Sequence, residues 1–444
     1  MPAHRLSLVC SLGALLVGCD ATGSSAPTWH ADVAPIVVEK CGGCHTAGGI
    51  APFTLDDFAA AAPMADAAVA AVEAGTMPPF DAYETDDCEP PQPWKDDPRL
   101  TEAEEDTLRA WAEAGAPEGN PATAARLPEP VEHALEGDDI QALEPGATYT
   151  TSGDTDQFVC VSMDPALATD RWLTGLDVLP GNTEVVHHVV VFSDPAGTSA
   201  AWGDDYTDCF DISGGQALAV WVPGSPPLEY PEGSAITVTA GARIVMQIHY
   251  HAGGRVADPD LTQVLLRWTN DAPEWTAVVT AIGNAASEAE GLLPGANDRA
   301  GVEFRIPADR ADHVETMSIP IPAETQEFSF FSIATHMHMV GTDMQIRWRR
   351  GVPQADEAPE DCLVRTGWDF DWQRTYTYDA PIEELPKGRG GDTLWMQCHY
   401  DNTLANPGVQ RALADAGLDE PIDVSLGEGS LDEMCVGIVG LVFK

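Results

Sequence analysis

From about residue 147 to Lys444 the chain is written in short β-branched and aromatic runs cut apart by Gly, Pro and Asp, and that punctuation leaves few folds open to it. Val185-Val186-His187-His188-Val189-Val190-Val191-Phe192, Ile244 to Tyr250 and Phe328 to Ile333 each have the length and residue preference of a strand. The 35 prolines and 40 glycines also favour turns and strands. About 300 residues of this kind are more than one sandwich usually holds, so a division is expected between residues 285 and 295. The expected architecture is two tandem antiparallel β-sandwich domains, jelly-roll-like, over 147–288 and 289–444.

The front of the chain has a different character. Cys41-Gly42-Gly43-Cys44-His45 is the c-type haem attachment pattern, with two thiols spaced to form thioethers with the haem vinyls and a histidine placed to ligate the iron. A zinc knuckle would need a second ligand pair, and none follows at a plausible distance before Cys88. Gly75-Thr76-Met77-Pro78-Pro79 resembles the methionine loop of small class I cytochromes c, which implies Met77 as the sixth iron ligand. Thr101 with Glu104 forms a possible capping box, and Leu108, Trp111 and Ala112 recur at helical spacing up to Gly115-Ala116-Pro117. A small α-helical haem c domain is therefore expected over 27–120, with both axial positions filled, as suits an electron carrier. Residues 121–146, rich in Pro, Ala and Glu, read as a linker with an entry strand.

At the N-terminus, His4 and Arg5 precede an apolar run from Leu6 to Val17, too short to cross a bilayer and shaped like a signal peptide over 1–18. Leu16-Val17-Gly18-Cys19 resembles the lipobox of bacterial lipoproteins, which implies diacylation of Cys19 and anchoring in the periplasm or at the outer membrane or cell surface. The Cys19 lipid is the one membrane contact expected. Of ten cysteines, Cys10 leaves with the signal, Cys19 is the anchor, and Cys41 and Cys44 take the haem. Six remain: Cys88, Cys160, Cys209, Cys362, Cys398 and Cys435. An even remainder in an exported protein points to disulfides, with fifteen pairings open. A formal charge of -49 repels phosphate backbones and excludes nucleic acid as a natural partner. The acid is spread along the chain, as on a solvated surface.

The histidines cluster. His187 and His188 are adjacent, His249 and His251 are two apart, and so are His336 and His338, all at the ends of expected strands. Residues two apart on a strand face the same way, so His336 and His338 can grip one metal directly. Adjacent residues face opposite ways, so His187 and His188 share a metal only at a bulge, at a strand end, or through different ring nitrogens. Imidazole-rich sites suit copper as well as zinc.

The order His187-His188, then His249 in Gln247-Ile248-His249-Tyr250, then His336-Met337-His338, then Met434 in Asp432-Glu433-Met434-Cys435 resembles the copper type II, ascorbate-dependent monooxygenases, the family of dopamine β-monooxygenase and peptidylglycine hydroxylating monooxygenase. The likeness spans about residues 140 to 444. It is reinforced by Asp154-Thr155 ahead of Cys160, by Gly391-Asp392 with Cys398, and by Trp368-Asp369-Phe370-Asp371-Trp372-Gln373, which is closer to the dopamine enzyme. The resemblance implies two coppers, the first on His187, His188 and His249, with His251 the competitor for His249, and the second on His336, His338 and Met434. It also implies disulfides Cys160–Cys209 and Cys398–Cys435, leaving Cys88 and Cys362 over.

As function, the resemblance implies hydroxylation of a C–H bond with O2, at a catalytic centre of His336, His338 and Met434, fed by an external reductant such as ascorbate or a redox protein. The fused haem suggests electron flow from haem to first copper to second copper. The substrate is a small organic molecule of unknown identity. Where the peptide enzyme carries an arginine, a polar residue and a tyrosine, this chain has Ala334, Val436 and Ile438, which disfavours peptide amidation. The alternative weighed against it is a non-catalytic copper-binding or electron-transfer lipoprotein using the same ligands.

Overall fold

The computed structural model describes residues 26–47, 51–128, 134–152, 157–203, 205–209, 215–250, 258–354, 357–370, 372–427, 429 and 431–444. The signal and lipobox residues with Cys19, the Asp154-Thr155 flank, His251 and Asp371 lie outside the described residues.

A small helical cluster forms the front. Helices Ala34–Lys40, Ala65–Glu73 and Glu102–Glu113 surround a core of Trp29, Val33, Val37, Leu108 and Trp111. The last helix starts at the expected capping box: the Thr101 hydroxyl accepts from the Glu104 N–H and the Glu104 carboxylate accepts from the Thr101 N–H at 2.7 Å. It ends at Glu113, two residues before Gly115 turns the chain at φ 81°. Trp111 donates its indole N–H to the Pro117 carbonyl at 3.1 Å and packs on Trp29 with ring centroids 5.9 Å apart, tying the first and last turns together.

The remainder is mostly β, in several antiparallel sheets, as its residue preferences require. Among the described residues a five-stranded sheet carries Gln157–Met163, Arg243–Tyr250 and Val186–Asp194 side by side. A four-stranded sheet carries Arg310–Pro320, Thr393–Asn402, Gly341–Arg349 and Glu360–Gly367. Both lie against a ten-stranded sheet that runs through the whole β region. Tyr230, beside the ten-stranded sheet, reaches the five-stranded sheet by donating to the Leu218 carbonyl at 3.1 Å. Phe330 of the ten-stranded sheet meets Trp348 of the four-stranded one at 5.0 Å. The buried side chains of both halves form one continuous cluster.

Two stretches sit differently from their place in the sequence. Trp275–Gly283, read as the end of the first sandwich, pairs along its length with Val436–Phe443, from Thr276 opposite Phe443 to Gly283 opposite Val436. It also pairs in parallel with Ser234 and Ala235 of the first half, and the Trp275 N–H donates to the Gly233 carbonyl at 3.2 Å. Residues 80–97, read as part of the haem domain, leave the helical cluster and lie along the C-terminal strands. The Gly367 N–H donates to the Asp81 carbonyl at 2.9 Å, and the Tyr83 N–H to the Arg365 carbonyl at 3.0 Å. Trp94 stacks on Tyr378 at 4.8 Å. This stretch carries Phe80, Ala82 and Trp94 into the β core, and burial of those apolar groups outweighs its sequence proximity to the helices.

Among the described residues three disulfides close the structure: Cys88–Cys362, Cys160–Cys209 and Cys398–Cys435. Both pairs implied by the resemblance are present, and the two cysteines left over pair with each other. Such cross-links mark an extracytoplasmic protein. Among the described residues no helix is long and apolar enough to cross a membrane.

Candidate metal centres and the cavity beside them

The first histidine group is assembled by a local irregularity. Val186–Asp194 and Arg243–Tyr250 are antiparallel, with Val186 opposite Tyr250 and His188 opposite His249. One residue, His187, is left over between those two pairs. It is the extra residue of a β-bulge, and the bulge lets two adjacent side chains serve one site. One nitrogen from each of His187, His188 and His249 lies within 4.8 Å of the others. The Nδ1 atoms of His187 and His188 face each other at 3.2 Å. His249 is fully buried and stacks on its cross-strand neighbour Phe158 at 4.1 Å, which fixes its ring plane. Three imidazoles converging in this way can bind a metal ion.

The second group is built at the end of Phe328–His336. His336 and His338 lie 5.3 Å apart with rings at 82°. The Gln373 side-chain oxygen sits 2.7 Å from His336 Nδ1, and a carbonyl can only accept, so Nδ1 carries the proton and Nε2 is left as the donor lone pair. The Asp432 backbone carbonyl does the same to His338 Nδ1 at 3.2 Å. Burial, reinforced by His338, brings the His336 pKa down to about 4, and burial lowers that of His338 too, so both rings are neutral as a metal requires. Val436 is the cross-strand partner of His336. Met434, Val436 and Ile438 are half-buried while the intervening Cys435, Gly437 and Val439 are buried, so alternation puts Met434 on the His336 side of the chain.

Glu433 binds the two ligand segments together. Its buried carboxylate accepts from the backbone N–H groups of His338, of Met434 at 2.8 Å and of Val340 at 3.1 Å. Burial pushes its carboxyl up to about 8 against the pull of those N–H groups. Trp368 caps the arrangement, donating to the His338 carbonyl at 2.8 Å with its ring edge-on to His336.

Between the helical cluster and the sheets lies a cavity of about 1330 Å³. Cys41, Cys44, His45 and Met77 line its helical side. Cys41 and Cys44 form no disulfide. His45 Nδ1 lies 3.1 Å from the Phe53 carbonyl, which leaves Nε2 as its acceptor nitrogen. Val186, His187, Gly224, Gln373 and Arg374 belong to the opposite wall. The two walls touch where a Cβ on Gly224 would come 3.3 Å from Cys44 Sγ, and Gly224 holds φ 77°, so a side chain there is disfavoured twice.

The stretch from Trp368 to Arg374 reaches all three places. Phe370 stacks over His187 at 5.6 Å and stands 6.2 Å from His249. Three residues on, Gln373 holds His336, and Arg374 faces the cavity. Sequence reasoning marked Trp368 to Gln373 only as a flank. It missed the parts played by Gln373, Glu433 and Arg374, because each acts on residues 30 or more positions away and leaves no local signature.

No protein-family model and no curated protein matches the chain. Among solved structures, the major capsid protein P2 of bacteriophage PM2 covers 68% of this chain and 97% of its own, at 8% identity and a TM-score of 0.28. A chain from the structure of Sulfolobus Turreted Icosahedral Virus covers 62% and 94%, at 10% identity and a TM-score of 0.21. These likenesses are slight and have no bearing on what the chain does.

Proposed function

We propose that the chain is an exported, lipid-anchored copper-dependent monooxygenase that hydroxylates a C–H bond of a small organic substrate with O2, its electrons passing through a haem c held by the front domain. The observation that carries the reading is the pairing of two different nitrogen sites on one strap. His187, His188 and His249 converge through a bulge, and His336 with His338 stand at the end of a strand whose partner segment carries Met434 on the same side.

The donor sets fit copper. Three imidazoles alone suit several metals, but a thioether beside two imidazoles favours the softer Cu(I). The cavity fits a covalently attached tetrapyrrole: two thiols and an imidazole with a directed Nε2 lie on its wall, with Met77 also lining it. Bound copper supplies one-electron redox chemistry and a binding position for O2, and bound haem c supplies single electrons. The protein's own residues do the remaining work. Gln373 and the Asp432 carbonyl hold the protons on the Nδ1 atoms, so that Nε2 of each ring is presented. Glu433 keeps the Met434 and His338 segments in register. Ala334 and Ile438 are cross-strand partners on the His336 side, next to Val436, and this apolar strip favours a weakly polar substrate over a peptide carboxylate. His187 lines the same cavity as Cys44, which supports the order haem, first copper, second copper.

The test is to load the mature protein without Cys19 with copper, and to measure copper per haem together with oxygen consumption under reductant. Two coppers per haem with reductant-dependent uptake is the expected result. One copper or none, or two coppers that never consume oxygen, would replace this reading with copper storage or relay.

A further inference from the structure

The wall of the cavity opposite the Cys41–His45 motif is formed by the sheets, and it contains a cation. Arg374 donates to the Pro79 carbonyl at 3.0 Å, lies 5.3 Å from the Phe80 ring, and makes no ion pair with a carboxylate among the described residues. This half-buried guanidinium has no anion in contact, and its field acts on whatever shares the cavity. Asp81 lines the same cavity and, together with Asp97, offsets the Arg374 charge; burial and Asp369 raise the Asp81 carboxyl to about 6 in spite of Arg374. Cys44, the second thioether position, is close enough to feel the Arg374 charge and abuts Gly224 of the sheet wall.

We infer that the tetrapyrrole site is composite, half of it contributed by the β region, and that Arg374 and Asp81 set the redox potential of the group held there. This rests on the haem reading above. Ferric haem carries one more positive charge than ferrous haem, so a neighbouring cation disfavours the ferric state and raises the midpoint potential, and a neighbouring carboxylate lowers it. Arg374 is thus a positioning charge, and it follows directly after Gln373, the residue that holds His336. One short strap therefore carries both a charge that tunes the haem and the residue that orients a ligand of the second group.

The experiment is spectroelectrochemical titration, at pH 7.5, of the full-length holoprotein and of Arg374→Gln, Arg374→Lys, Asp81→Asn and, as a control outside the cavity lining, Arg299→Gln. Covalent haem in each is counted as pyridine haemochrome. Expected are a lower midpoint potential for Arg374→Gln, a potential near the parent for Arg374→Lys, a higher one for Asp81→Asn and no shift for the control. Equal potentials in all five proteins would overturn the inference, as would shifts of one sign for both Arg374→Gln and Asp81→Asn. If Arg374→Gln does not fold, the Asp81→Asn shift decides alone. A parent protein without covalent haem would instead overturn the haem reading itself, which the haemochrome count separates from the question of potential.

Discussion

His187 can serve the same site as His188 only because one residue is inserted into the ladder opposite His249. Histidine identity and spacing were readable from the chain. The bulge was readable only as a condition, since a strand cannot show its own partner. The residues that hold the ligands follow the same pattern: Gln373 is 37 positions from His336, and nothing near it announces the contact. Two outcomes belong to this scale. His249→Ala and His336→Ala should each remove one metal equivalent, measured by elemental analysis after dialysis, while Gln373→Leu should weaken the second site roughly 10–100-fold and leave the first unchanged. Asp177 offers a separate check. Its carboxyl is 4% exposed and burial raises its pKa from 3.8 to about 6. A raised acid pKa destabilises the fold above that value and ceases to do so as pH falls towards 3.8. Asp177→Asn should therefore raise Tm at pH 7.5, by at most roughly 3 kcal/mol of stability, with the gain fading near pH 4 in a thermal-melt series.

Strands were legible as elements, and their partners were not. Trp275–Gly283 has the composition of any strand in the chain, yet its hydrogen bonds go to Val436–Phe443, more than 150 residues later. The stretch 80–97 has no helical or strand signature and is placed by Phe80, Ala82 and Trp94. The second metal group depends on such a long-range pairing. Cys398, on Thr393–Asn402, is bonded to Cys435, the neighbour of Met434, and Tyr400 on the same strand donates to the Met434 carbonyl at 2.8 Å. Replacing both cysteines by serine should cost about 2–5 kcal/mol in denaturant unfolding. It should also weaken metal binding at His336 and His338 more than at His187, His188 and His249, as competition with a graded chelator would show.

At the scale of the molecule, a mostly β chain of antiparallel sheets with a small helical front could be anticipated from the punctuation and from the capping box and helical spacing between Thr101 and Gly115. The shared ten-stranded sheet and the cavity closed from both sides could not, since they arise from packing between stretches distant in the chain. Surface charge adds little to that packing. A formal charge of -49 spread over the chain gives a solvated, self-repelling surface whose contributions elsewhere are weak and salt-screened.

The Cys88–Cys362 bond spans 274 residues and joins the early chain to the last third. In the covalent graph of the molecule, the path through Arg126 is consequently one of two routes between the front and the rear. Arg126 and Leu127 are exposed, so trypsin can cut between them. The parts on either side of that cut should migrate as one species on a non-reducing gel and separate only after thiol is added. Severing the backbone there turns one chain into a two-chain protein without releasing either part.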